Sequence, residues 1–169
     1  MVRASVTSSG LGEKLLRMSL RDLPLGGLRF FEEISSTNDV ALEWASQGAP
    51  DLALVVAEGQ TSGRGRAGRA WVTRPGTALA FSLVLQLSSG EEQNLPRFSG
   101  LGALAVASAL QKWGLTAAVK WPNDILLEGR KVCGILVEAV WVGEKVERMI
   151  LGIGINVTTE AVGVEQPAS

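Results

Sequence analysis

Hydrophobic and polar positions along the chain follow two periods in turn, one close to two residues and one close to three and a half. Leu28–Ile34 has the pattern of a short strand. Ser36-Thr37-Asn38-Asp39 then opens a helix, since Ser36 or Thr37 can cap it and an acidic residue suits a first turn. Val40, Leu42, Trp44 and Ala45 are its apolar positions, and Gly48-Ala49-Pro50 stops it. Leu52–Ala57 reads as a second strand and Gly59–Trp71 as a loop. Pro75-Gly76 turns the chain into a longer strand, Thr77–Leu87, on which Phe81, Leu83, Leu85 and Leu87 share one face.

After the polar loop Ser88–Gln93, the Ala- and Leu-rich segment Phe98–Trp113 predicts a helix that ends before Gly114. Strands follow at Ala117–Trp121, Val132–Val142 and Val146–Ile155, with turns at Glu128-Gly129 and Gly143-Glu144. Being sequential neighbours, they predict an antiparallel meander. The pattern as a whole predicts an α+β fold, with a mixed, largely antiparallel sheet backed by helices. Residues 28–157 are expected to form the folded domain, after a frayed or partly helical leader at 1–27 and before a polar tail at 158–169.

Composition removes several function classes. A length of 169 residues, 46% hydrophobic and 20% charged, suits one domain with a buried core. Sixteen Lys and Arg against seventeen Asp and Glu give no general grip on nucleic acid or an anionic membrane. No segment has the length and apolarity of a membrane span, and the leader lacks the apolar block of a secretory signal. The lone Cys133 excludes an internal disulfide framework and a Cys-cluster metal site, and the expected compartment is the cytoplasm.

The chain has no histidine and no tyrosine. Ser-His-Asp and Cys-His nucleophiles, the HExxH zinc helix and a Tyr-Lys proton relay are therefore excluded. Catalysis would have to use Lys, Arg, carboxylates, amides and a bound cation.

Two clusters fit that restriction. In Gly63-Arg64-Gly65-Arg66-Ala67-Gly68-Arg69, glycines let backbone N–H groups approach an anion and arginines supply forked donors. The stretch fits G-x-G-x-x-G, yet turn and strand residues follow it, so it is no dinucleotide fingerprint. A solvated basic loop or an RGG-like nucleic-acid arm is the alternative. The second cluster, Lys120-Trp121-Pro122-Asn123-Asp124, gathers charge, amide and carboxylate at a strand end, where a plain Lys120–Asp124 surface pair would be the unremarked alternative. Lys131 and Gly134 lie just beyond it, and Gly152-Ile153-Gly154-Ile155-Asn156 places two glycines inside a strand. A bulge, or a ligand lying against the backbone, would account for such glycines.

Taken in order, Ser36-Thr37-Asn38, Gln60, Gly63–Arg69 with Trp71, Lys120–Asp124, Arg130-Lys131 with Gly134, and Gly152–Asn156 resemble the catalytic domain of the biotin–protein ligases. The resemblance implies the mixed sheet of class II aminoacyl-tRNA synthetases. It implies a two-step reaction in which biotin and Mg·ATP give biotinoyl-5′-AMP, and the acyl group passes to a lysine of a biotin-carboxyl-carrier domain. It implies that Ser36, Thr37, Asn38, Gln60, Arg64, Gly65, Arg66, Lys131 and Gly134 bind biotin. Arg66, Arg69, Trp71, Lys120, Asn123 and Asn156 are implied for ATP, and Lys131, Arg64 and Asp124 for catalysis, with the Mg²⁺ ligands unassigned. Ala67 departs from the family, many of whose members carry a further Arg there. Too few residues precede Leu28 for a winged helix, so no DNA partner is expected, and the family's usual C-terminal SH3-like domain is expected to be absent. A homodimer is compatible with the resemblance. The alternative reading is a truncated biotin-binding module that turns over poorly. A lipoate ligase is disfavoured by the missing histidine.

Overall fold

In the computed structural model, residues 11–88, 90–143 and 145–158 are described. The elements run α1 (Leu11–Ser19), β1 (Gly27–Ile34), α2 (Thr37–Ser46), β2 (Ala53–Arg64), β3 (Ala70–Thr73), β4 (Ala78–Gln86), α3 (Leu95–Lys112), β5 (Ala117–Lys120), β6 (Asp124–Leu127), β7 (Arg130–Val142) and β8 (Lys145–Asn156). The strands form one sheet in the order β1-β2-β4-β8-β7-β6-β5, with β3 paired to β2. β1 and β2, joined through α2, are parallel; every other pair is antiparallel. The expected α+β fold with a mixed, largely antiparallel sheet is what the chain adopts.

The two longer helices cover opposite faces. Successive side chains of a strand alternate between faces, so Ile150 and Leu151 on β8 serve different cores. Ile150 joins Val55 and Val84 beneath Ala41 and Ala45 of α2. Leu151 and Ile153 join Ile135 and Cys133 beneath Ala103 and Val106 of α3. The alanines at i and i+4 give α2 a small-residue face that can lie close to the sheet. Each fully buried Val or Ile contributes about 1.5–3 kcal/mol. No helix among the described residues is long and apolar enough to cross a membrane.

Several boundaries differ from those expected. Gly59–Arg64 is not loop but the second half of β2, because Gly63 and Arg64 pair with Trp71 and Ala70 of β3. The hydrogen bonds of that hairpin outweigh the low strand propensity of its glycines and serines. α3 starts at Leu95, with Pro96 in its first turn where a missing N–H costs nothing. The meander holds, with β6 as an additional strand between β5 and β7. Part of the leader is helical at Leu11–Ser19; its first ten residues, and the tail beyond Thr158, lie outside the described residues.

Candidate active site

On the α2 face, the start of α2, the β2–β3 hairpin and the glycine-bearing parts of β7 and β8 enclose a cleft of about 330 Å³. Its floor is polar. Gln60 Oε1 accepts the Thr37 backbone N–H at 2.7 Å and the Thr37 hydroxyl at 3.0 Å. Gln60 therefore satisfies one of the free N–H groups in the first turn of α2. Ser82 Oγ stands 2.6 Å from Asn38 Oδ1 and 2.8 Å from Thr37 Oγ1. Asn38 Nδ2 donates to Glu138 Oε2 at 2.6 Å. Thr37, Asn38, Gln60 and Ser82 are all buried, so their hydrogen bonds hold the floor in one arrangement.

The two glycines of β8 give this floor its space. A Cβ at Gly152 would collide with the Asn38 amide, and one at Gly154 would collide with the Trp71 ring. Trp71 is buried, and its Nε1–H has no acceptor. An unpaired buried donor costs about 1–3 kcal/mol, which makes this N–H a ready partner for an oxygen brought in by a ligand.

Lys131 also stands over the Trp71 ring, its Nζ 5.5 Å from the ring centre. The same Nζ lies 2.8 Å from Asp124 Oδ1, with both side chains more than four-fifths buried. Asp124 thus pairs with Lys131 and not with Lys120, its register partner on β5. Next to this pair, Asn123 ties loop to sheet. Its Nδ2 donates to the Ile135 carbonyl at 3.0 Å, and its Oδ1 accepts from Arg66 Nη1 at 3.2 Å.

The Arg-Gly segment is a hairpin tip. Arg66–Gly68 makes one 3₁₀ turn, with Ala67 at φ +56° and Gly68 at φ +73°. Strands flank it on both sides, so it opens no helix, as the rejection of a dinucleotide fingerprint requires. Arg64 at its base reaches Asp39 Oδ1 at 2.6 Å and Glu138 Oε1 at 3.1 Å. The Asp39 carboxylate, with Glu138 adding to it against the effect of burial, raises the Arg64 pKa above its ordinary value.

Ser36, Thr37, Asn38, Gln60, Arg64, Gly65, Arg66, Arg69, Trp71, Asn123, Asp124, Lys131 and Gly134 all line this cleft. Lys120 and Asn156 do not. Lys120 is exposed at the end of β5, and Asn156 lines a neighbouring cleft with Arg130 and Thr158, to which Lys131 also contributes. Sequence reasoning passed over Ser82, Asp39 and Glu138. A lone carboxylate inside the apolar run Val132–Val142 was the available signal for Glu138.

Residues 30–156 match the biotin/lipoate A/B protein ligase family. The chain belongs to this family. It is 38% identical over 152 residues to the bifunctional ligase/repressor BirA of Bacillus subtilis, covering 89% of this chain and 46% of that protein. It is 42% identical over 127 residues to the biotin–[acetyl-CoA-carboxylase] ligase of Paracoccus denitrificans, covering 72% and 50%. Its fold matches the biotin protein ligase from Aquifex aeolicus in complex with biotin and ATP, with a TM-score of 0.68 and 32% identity over 85% of this chain and 58% of that one. The chain spans about half the length of the curated relatives it matches. Among the described residues no group of three or more acidic, His or Cys side chains could hold a metal ion. Mg²⁺ needs few protein ligands when it arrives with phosphates, and Asp124 is the carboxylate that lines the cleft.

Proposed function

We propose that this chain carries the catalytic site of a biotin–protein ligase, which activates biotin with Mg·ATP and passes it to a lysine of a biotin-carboxyl-carrier domain. One observation carries the reading. Residues scattered between Ser36 and Gly154 converge on a single cleft with a polar floor, a buried cation and a basic hairpin above it. Two anions must meet there, and the residues present are suited to that task.

Biotin's ureido ring offers one carbonyl and two N–H groups, which matches the hydroxyls and amides of Ser36, Thr37, Asn38 and Gln60 in the cleft lining, with Ser82 bracing Thr37 and Asn38 from behind. Its carboxylate is the nucleophile and needs no histidine or cysteine to activate it. A carboxylate oxygen attacks the α-phosphorus of ATP, the bond to pyrophosphate breaks, and biotinoyl-AMP forms. Lys131 faces both anions with one ammonium, and charge gathering at the α-phosphate is what such a buried cation stabilises. Arg66 and Arg69 supply further donors for the phosphates. In the second step the carrier's lysine amine attacks the acyl carbon, AMP leaves, and Asp124 is the group available to take the amine proton. A reducing compartment such as the cytoplasm suits the single buried thiol.

The test is biotin-dependent exchange of labelled pyrophosphate into ATP by the 169-residue chain. Exchange is expected. Biotin binding without exchange would favour the biotin-binding module, and no biotin binding at all would sink the ligase reading.

A further inference from the structure

Arg64 has two neighbours that no role in anion binding explains. Its Nη1 meets Asp39 Oδ1 at 2.6 Å, and its Nη2 meets Glu138 Oε1 at 3.1 Å and Oε2 at 3.4 Å. Glu138 Oε2 also accepts from Asn38 Nδ2 at 2.6 Å. Asp39 follows Asn38 directly in the chain. The contacts therefore close a ring: Asn38 to Glu138, Glu138 to Arg64, Arg64 to Asp39, and Asp39 back to Asn38 through one peptide bond. The ring joins α2, β7 and the end of β2 at the base of the Arg-Gly tip.

An arginine fork can grip two carboxylates at once, whereas a lysine ammonium acts as a point charge. Here both arms are in use, and the two carboxylates outweigh the one cation. A phosphate would have to compete with them for the same donors. Glu138 is also the lone acid of its strand, three-quarters buried between Val140 and Leu136 on one face of β7. A carboxylate in that setting is retained only with strong partners.

We propose that Asp39 and Glu138 are positioning residues that hold Arg64 as a strut, keeping the Arg66–Arg69 tip over the cleft and coupling it to the Asn38 floor. Arg64 is then no phosphate ligand, and the anions are left to Arg66, Arg69 and Lys131. The proposal rests on the ligase reading for the identity of the ligand, but the strut itself is a property of the free protein.

The experiment compares the 169-residue chain with Asp39→Asn, Glu138→Gln and their combination, and with Arg64→Lys, which keeps the charge and loses the fork. Trypsin cleavage after Arg66 and Arg69, scored by mass spectrometry against cleavage after Arg130, reports on the tip without any ligand. We expect tip cleavage to rise roughly tenfold in the double variant and in Arg64→Lys while the control cleavage stays level, in line with charge-assisted hydrogen bonds at the base. Labelled biotin should dissociate faster from the same variants by a similar factor, and Mg·ATP affinity should not improve. Unchanged tip cleavage overturns the strut. Tighter Mg·ATP binding once the carboxylates are neutralised also overturns it, because Arg64 would then be a phosphate donor held in check. A parent that binds no biotin defeats the ligase reading alone, and the strut is then decided by the trypsin comparison.

Discussion

Gly154 and Trp71 are packed so closely that a single methyl group on the glycine would overlap the indole ring. The ring in turn faces Lys131, so the contact fixes the wall on which the cation rests. Gly154→Ala must push the indole aside, at a cost of about 1–3 kcal/mol as for other overpacked sites. Urea unfolding should register that loss. The same substitution in a Trp71→Ala background should cost much less, since the two share one contact. Equal costs in both backgrounds would place the strain elsewhere.

Lys131→Ala removes the ammonium that lies 2.8 Å from Asp124 and leaves the polar floor untouched. Pyrophosphate exchange is expected to fall by about a hundredfold or more, the scale for losing one preorganised electrostatic contact. Biotin affinity, measured by calorimetry, should stay within a few-fold. Retained exchange would strip Lys131 of its catalytic assignment.

Cys133 lies fully buried beneath α3, and burial pushes its thiol up to about 12, with Lys131 opposing and Asp124 adding to it. At pH 8 the folded chain should react with a thiol reagent about a thousandfold more slowly than the unfolded chain, because the thiolate is the reactive form. The sign for stability follows from proton counting. Above the unfolded value near 9.0 the unfolded thiol has lost its proton and the folded one has kept it, so stability falls as pH rises toward 12. The slope should be about 1.4 kcal/mol per pH unit from this group. Cys133→Ala removes that contribution, and an unaltered alkaline slope in the variant would assign the pH dependence to other groups.

Much of this architecture is legible in the residue pattern because it is local. The cap at Ser36, the turn at Glu128-Gly129 and the apolar run Met149–Ile155 each specify their element without help. Gly59–Arg64 was not legible as strand, since its extended form depends on pairing with Trp71 and Ala70, residues that the hairpin itself brings alongside. The site divides in the same way. Ser36–Asn38, Gln60 and Lys131 stand in motifs, whereas Glu138 matters through partners 100 and 74 residues away. Ser82 meets Asn38 from 44 residues away, across a sheet whose strand order the sequence does not spell out. Lys120 shows the limit of motif reading: of Lys120–Asp124, only Asn123 and Asp124 line the cleft.

The run Gly152-Ile153-Gly154-Ile155 has a consequence for how this chain tolerates change. Its isoleucines pack under α3 and its glycines clear space for Asn38 and Trp71, so neighbouring codons answer to different demands. Shrinking an isoleucine should loosen the molecule while leaving the cleft's shape intact; enlarging a glycine should spoil the cleft first. A scan of Gly152–Ile155 would then alternate, residue by residue, between variants that lose stability alone and variants that lose the cleft as well. Four successive residues thereby answer to two separate demands, interleaved at every second position.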